Sequence, residues 1–152
     1  MFQPKMSMGK CLGFLFLTVL ILAFVFSKIF SSNCKGHTLC FYTILKKYKD
    51  ADSFLTQVYE IRLSLIDTPE INREEGKEAL KFVRKICPEG SLVLVDQDDL
   101  QKFDKYGRLI AKVYCRGKIL NEELVENGYA KILKQFCNQS EFANESWVKD
   151  FC

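Results

Sequence analysis

An arginine, an aspartate, a threonine and a glutamate lie within one short stretch, "RLSLIDTPE", from Arg62 to Glu70. Each type has a use in phosphate chemistry. A guanidinium fork matches phosphate oxygens in pairs. A carboxylate is a hard oxygen ligand for Ca2+ or Mg2+, and a second one can take a proton from water. Two more clusters offer the same groups: Asp50-Ala51-Asp52-Ser53 and Asp104-Lys105-Tyr106-Gly107-Arg108. Singly, each has an ordinary explanation. The first reads as a polar turn and the last as a hairpin turn. The middle one reads as a helix start, with Asp67 or Thr68 capping and Glu70 reaching back. Together they form the set that phosphodiester hydrolysis needs. Asp52 and Asp67 would share one ion, Arg62 and Arg108 would clamp the phosphate, and Glu70 would accept a proton from water.

These residues need a frame. "CFYTILKKYKD" reads as a first strand, and "SFLTQVYEIRLSLI" as strand with a turn near Thr56-Gln57. "NREEGKEALKFVRKIC" spaces Ala79, Phe82, Val83 and Ile86 helically, with acids early and bases late, as the helix dipole favours. "SLVLVD" is a strand, and "RLIAKVYCRGKIL" a hairpin through Arg116-Gly117. "NEELVENG" is a short helix with Asn121 as its cap and Gly128 as its stop. "YAKILKQF" is a strand, and "SEFANESWVKDFC" a last helix. The expected class is α+β, mainly β. A five-stranded barrel with two or three flanking helices fits this order, and an OB-like barrel is one such architecture. The pattern alone does not select it over other α+β folds.

"IRLSLIDTPE", "DKYGR" and "ILNEELVENGYAKI" resemble, in that order, the signature stretches of the staphylococcal nuclease (thermonuclease) family. The resemblance runs from about Lys49 to Leu133. It implies an OB barrel with helices that cleaves DNA and RNA using Ca2+. By position, Arg62 and Arg108 match the phosphate-binding, transition-state-stabilising arginines, and Glu70 the general base or water-orienting glutamate. Asp52 and Asp67 match metal aspartates, and Thr68 a ligand through its backbone carbonyl. Lys105 and Tyr106 match residues near the terminal phosphate of the nucleotide. The family usually has D-G-D-T where this chain has Asp50-Ala51-Asp52-Ser53, so Ala51 would strain the turn if a positive φ is required. The loop from Asp52 to Arg62 is also short. The alternative is a catalytically inactive OB module that binds nucleic acid or a protein partner.

The flanks bound location. Between Lys10 and Lys28 lie 17 uncharged residues, "CLGFLFLTVLILAFVFS". As a helix they would reach about 26 Å, against a hydrocarbon core of about 30 Å. Residues 1–33 are therefore expected to be a signal anchor, with membrane contact over residues 11–30, or a signal peptide plus linker. Residues 34–152 would be the nuclease-like domain, a monomer that is extracytoplasmic or secreted. Six cysteines follow the run: Cys34, Cys40, Cys87, Cys115, Cys137 and Cys152. An even number fits an oxidising compartment. Cys137 and Cys152 bracket the last segment as a possible disulfide, whereas Cys87 and Cys115 read equally well as free buried thiols. The chain has 22 Lys+Arg and 19 Asp+Glu; removing Lys5, Lys10 and Lys28 leaves 19 of each from Cys34 onward. Overall charge alone therefore does not indicate a nucleic-acid binder.

Overall fold

One strand, β1 (Cys40–Asp50), is long enough to serve two neighbours. Its first half pairs antiparallel with β5 (Leu92–Gln97), and its second half with β2 (Ser53–Thr56). Irregularities between Leu45 and Lys47, and between Tyr48 and Asp50, separate the two roles. Such bulges bend a strand and increase its twist, which lets the sheet curl. β2 continues into β3 (Glu60–Leu63), β5 pairs with β6 (Leu109–Cys115), and β3 meets β6 in parallel. That last pairing closes a five-stranded barrel in the order β1-β2-β3-β6-β5. The computed structural model describes residues 17–21 and 34–152, and residues 36–152 form one compact unit.

The remaining elements cover the barrel. β4 (Ile66–Asp67) pairs with the two-residue β8 (Lys131–Ile132). β7 (Lys118–Ile119) folds back on β6. Helix α1 (Glu74–Ile86) buries Gly76, Ala79, Leu80 and Val83; of the four residues expected to face the core, Ala79 and Val83 are buried while Phe82 and Ile86 are half-buried against it. Helix α2 is Leu120–Glu126. β6 is buried at six of its seven positions, because one face looks into the barrel and the other is covered.

Several expectations change. Asn121 is not a cap: it lies inside α2 and is fully buried. Its side chain accepts from Val113 N (3.1 Å) and donates to the carbonyls of Ser64 (3.0 Å) and Ala111 (3.3 Å), pinning α2 to the barrel. The segment after Gly128 is strand only over β8. The tail is not a regular α-helix but two 3-10 turns, Lys134–Gln139 and Glu141–Asn144, followed by further turns. It is held by core rather than by helix hydrogen bonds: Phe142, Trp147 and Val148 are buried. Asp98, also fully buried, accepts from Ser64 Oγ at 2.9 Å and from the Ser140 hydroxyl. Lys112 reaches Glu145 at 3.0 Å and Asp96 at 3.5 Å. Burial lowers the Lys112 pKa, but its hydrogen bonds to Glu145 and Tyr114 outweigh this and hold it above the usual lysine range.

All six cysteines from Cys34 onward are disulfide-bonded. Cys87 and Cys115 are not free thiols. They join the end of α1 to the end of β6, closing a loop of 28 residues, a constraint of roughly 3–4 kcal/mol in the chain-entropy account. Cys137 and Cys152 pair as expected and staple the tail. Of the N-terminal apolar run, only Leu17–Ile21 are described, and they are helical. Among the described residues no helix is long and apolar enough to cross a membrane. The rest of the expected anchor over residues 11–30 lies outside the described residues.

Candidate active site

Register places the first arginine. Along β3, Ile61 and Leu63 turn into the core (0 % and 1 % exposed), so Arg62 between them points outward. Across the parallel pairing Ile61 sits beside Leu109 and Arg62 beside Ile110. Arg108 lies two residues before Ile110 and so on the same side as Arg62. Both arginines line one pocket of about 390 Å3, with Lys105, Tyr106 and Asp104. Phe103, Leu133 and Phe136 give it an apolar wall.

Arg62 is held from the other side by two acids. One guanidinium nitrogen pairs with Asp52, and the other donates to Asp67 Oδ1 at 2.9 Å. Asp52 is 5 % exposed and sits in the tight β1–β2 turn. Its Oδ2 also accepts from Thr68 N at 2.7 Å. The turn thus ties itself to the Asp67-Thr68 segment. Ala51 does not strain it: among the described non-glycine residues, only Leu65 and Arg116 have positive φ.

Arg108 is oriented by Asp104, a residue outside the set first chosen. Asp104 Oδ1 accepts from Tyr106 N (2.8 Å) and Arg108 N (3.0 Å), while Oδ2 accepts from Arg108 Nε (2.6 Å). This is an aspartate folding its own turn, and Gly107 supplies the φ of 79° that the turn needs. Burial pushes the Asp104 carboxyl up, but the hydrogen bonds from Arg108 and Tyr106 outweigh it, leaving the group below the usual carboxylate range. The signal was in the sequence, since an aspartate three residues before a glycine is a turn signature. Its second job, aiming Arg108, was not. Lys105 and Arg108 lie over the Tyr106 ring, at 5.0 and 5.5 Å from its centroid, and Tyr106 itself is 72 % exposed.

Glu70 stands apart. It is exposed, does not line the pocket and makes no side-chain hydrogen bond among the described residues. Its backbone, however, is fixed. Glu70 O accepts from Arg73 N at 2.9 Å and packs against Gly76 of α1. A Cβ at Gly76 would lie 2.0 Å from Glu70 O and 2.6 Å from Pro69 O. Replacing a helix-interior glycine by alanine ordinarily gains up to about 1 kcal/mol. Here the obstacle is backbone, which cannot swing aside. Gly76→Ala is therefore expected to destabilise the domain by about 1–3 kcal/mol, read as a lower urea midpoint. Relieving the overlap requires the Pro69-Glu70 backbone itself to shift, so any cleavage that depends on Glu70 should fall with it, through kcat more than KM. An unchanged midpoint with unchanged cleavage would show that this contact positions nothing.

The site's oxygen donors are of the types a hard cation takes, although Arg62 pairs with both carboxylates. Asp52 and Asp67 are both within reach of one guanidinium, and the Thr68 hydroxyl beside them is buried without a hydrogen-bond partner among the described residues. Carboxylates, a hydroxyl and the Thr68 carbonyl are the donor types that Ca2+ takes.

The chain is thus a closed OB-like barrel carrying two arginines on one pocket, with acids around one of them. Residues 60–148 match the family described as Staphylococcal nuclease homologue, more than half of this chain, and the chain belongs to that family. A probable staphylococcal-like nuclease of Oryza sativa subsp. japonica, CAN2, is 30 % identical over 99 residues, covering 65 % of this chain and 25 % of that protein. A second from the same organism, CAN3, is 29 % identical over 99 residues, with the same coverage. An uncharacterized protein of Bacillus anthracis is 38 % identical over 94 residues, covering 55 % of this chain and 44 % of its own. The chain thus spans about a quarter of the length of the rice relatives.

Proposed function

We propose that the domain is a metal-dependent nuclease that hydrolyses phosphodiester bonds of DNA, RNA or both. The observation that carries this reading is the convergence of Arg62 and Arg108 on one pocket, with Asp52 and Asp67 gathered around Arg62. The two guanidiniums neutralise a phosphate and meet the charge that grows on it as water attacks. Lys105 and Tyr106 hold the adjacent terminal phosphate, and the wall of Phe103, Leu133 and Phe136 covers the nucleoside. Asp52, Asp67 and the Thr68 carbonyl would hold Ca2+, which supplies Lewis-acid stabilisation of the phosphoryl oxygen when bound. Glu70 takes the proton of the attacking water, reaching it from an exposed loop end.

A binding-only module is the second reading, and the position of Glu70 outside the pocket favours it. One experiment separates the two. The full chain is incubated with single-stranded DNA, with Ca2+ and again with excess EGTA. Fragments are expected with Ca2+ and none with EGTA. Equal cleavage in both would reject the metal site, and binding without fragments would select the module.

For location, the reading is an extracytoplasmic domain acting as a monomer, tethered through residues 11–30 or secreted. Supporting it are the apolar run itself and six disulfide-bonded cysteines, which persist in oxidising compartments.

A further inference from the structure

We propose that the Lys77, Lys81 and Arg84 face of α1 is a docking track for the phosphates of a single nucleic-acid strand running on from the reacting phosphate. The direction of that strand rests on the nuclease reading above; the existence of the track does not.

A groove of about 500 Å3 is lined by Ile71, Lys77, Leu80, Lys81 and Arg84, so every charged side chain along it is cationic. This stands against a neutral background, since the chain from Cys34 onward carries equal numbers of acids and bases. The complementary partner is a polyanion with a regular repeat. Lys77 and Lys81 are about one turn apart, roughly 6 Å along the axis, a spacing on the scale of successive phosphates in an extended strand. Ile71 and Leu80 add an apolar floor against which sugars or bases can lie.

The cations differ in how firmly they are held. Lys81 is exposed and makes no ion pair or hydrogen bond among the described residues. Lys77 pairs with Glu74 at 3.0 Å, but both side chains are more than half exposed (59 % and 75 %), so the pair is weak and exchangeable. Arg84 is placed at the far end by Glu89 at 3.0 Å and by the Tyr48 ring, 6.0 Å from its guanidinium carbon.

The groove shares no lining residue with the arginine pocket but begins one residue beyond the Pro69-Glu70 segment. Ile71 follows Glu70 directly, and its N–H donates to Asp50 Oδ1 at 3.3 Å, at the end of β1 just before the turn that carries Asp52. A strand leaving the scissile phosphate past Glu70 meets Ile71 first and then the basic face of α1.

The test uses the full chain, the combined variant Lys77→Gln/Lys81→Gln/Arg84→Gln, and Lys81→Glu alone. Lys81→Glu replaces an exposed, unpaired side chain and keeps the test valid if the combined variant does not fold. Binding of a long fluorescent single-stranded oligonucleotide is measured across salt by anisotropy. Cleavage of that oligonucleotide is compared with cleavage of a dinucleotide. Three lost contacts should reduce the log–log salt slope by about 2, at about 0.7 per single-strand phosphate. Lys81→Glu should weaken binding of the long strand in the same direction. Dinucleotide cleavage should not change in either variant. An unchanged slope overturns the track, as does a parallel fall in dinucleotide cleavage. Loss of binding to phosphatidylserine vesicles with oligonucleotide binding intact overturns it in favour of a lipid surface. A parent that never cleaves removes the nuclease reading, and the salt slope still decides the track.

Discussion

Arg108→Lys is expected to slow single-turnover cleavage of single-stranded DNA by about 10²–10³-fold, while equilibrium binding of the same DNA changes by only a few fold. Arg108 commits its Nε to Asp104 Oδ2 at 2.6 Å, so the fork's two terminal nitrogens are left for the pocket it lines. A lysine keeps the positive charge but not the fork. Its ammonium would be drawn to Asp104, which already waits at the base of the turn. The charge would then sit near the phosphate without two donors aimed at it. Interactions that strengthen only in the transition state appear in kcat, and those present throughout appear in KM. The loss should therefore fall on kcat. The orienting contact needs an ionised Asp104, whose folded pKa lies below the usual carboxylate range. A group depressed in this way stays charged above its unfolded pKa and is lost only as pH falls through the folded one. Asp104 should thus add no inflection to the rate near neutral pH. Parent-like cleavage by Arg108→Lys would remove Arg108 from the chemistry.

How much of this could be read beforehand depends on the range of the interaction. β1, α1 and the β2–β3 turn follow from short-range periodicity, which a one-dimensional pattern carries. Arg62, Asp67 and the Asp104 turn sit in local motifs and were legible as residues. What was not legible are partners distant in sequence. Asn121 resembles a cap in a window of eight residues, yet its partners are Ser64, Ala111 and Val113. The tail contains apolar residues at spacings that suit a helix, but its contacts with Asp98 and Lys112 fix it in 3-10 turns instead. Cys87 and Cys115 belong to different elements, and no spacing rule pairs them before the barrel brings α1 to β6. Ala51 taught the opposite lesson. A feared strain, argued from a glycine usual at that position, does not arise because the turn keeps a negative φ.

The two arginines look alike in sequence and in the pocket, but they should behave differently when removed. Arg62→Ala is expected to destabilise the fold by about 3 kcal/mol, at the low end of the cost of breaking a buried ion pair. Arg108→Ala should cost less, about 1 kcal/mol, because Asp104 keeps the N–H bonds of Tyr106 and Arg108 after the guanidinium is gone. The difference lies in what each leaves behind. Among the described residues Arg62 is the only cation paired with Asp52, which is 5 % exposed, and of these residues the Thr68 N–H alone would then face that charge. The contact of Arg62 with Asp67 adds little, because Asp67 is 58 % exposed and water can replace the guanidinium. Two further measurements isolate the cause. Asp52→Asn placed in the Arg62→Ala background should restore most of the lost stability without restoring cleavage, since the stranded charge is gone and the phosphate clamp is still missing. Added Ca2+ should raise the urea midpoint of Arg62→Ala more than that of the parent, because an ion that binds only the folded state stabilises by mass action and here meets no competing guanidinium. Equal losses for Arg62→Ala and Arg108→Ala would show that Asp52 does not depend on Arg62. A midpoint indifferent to Ca2+ in both parent and variant would show that these acids hold no ion, whatever the outcome of the cleavage assay.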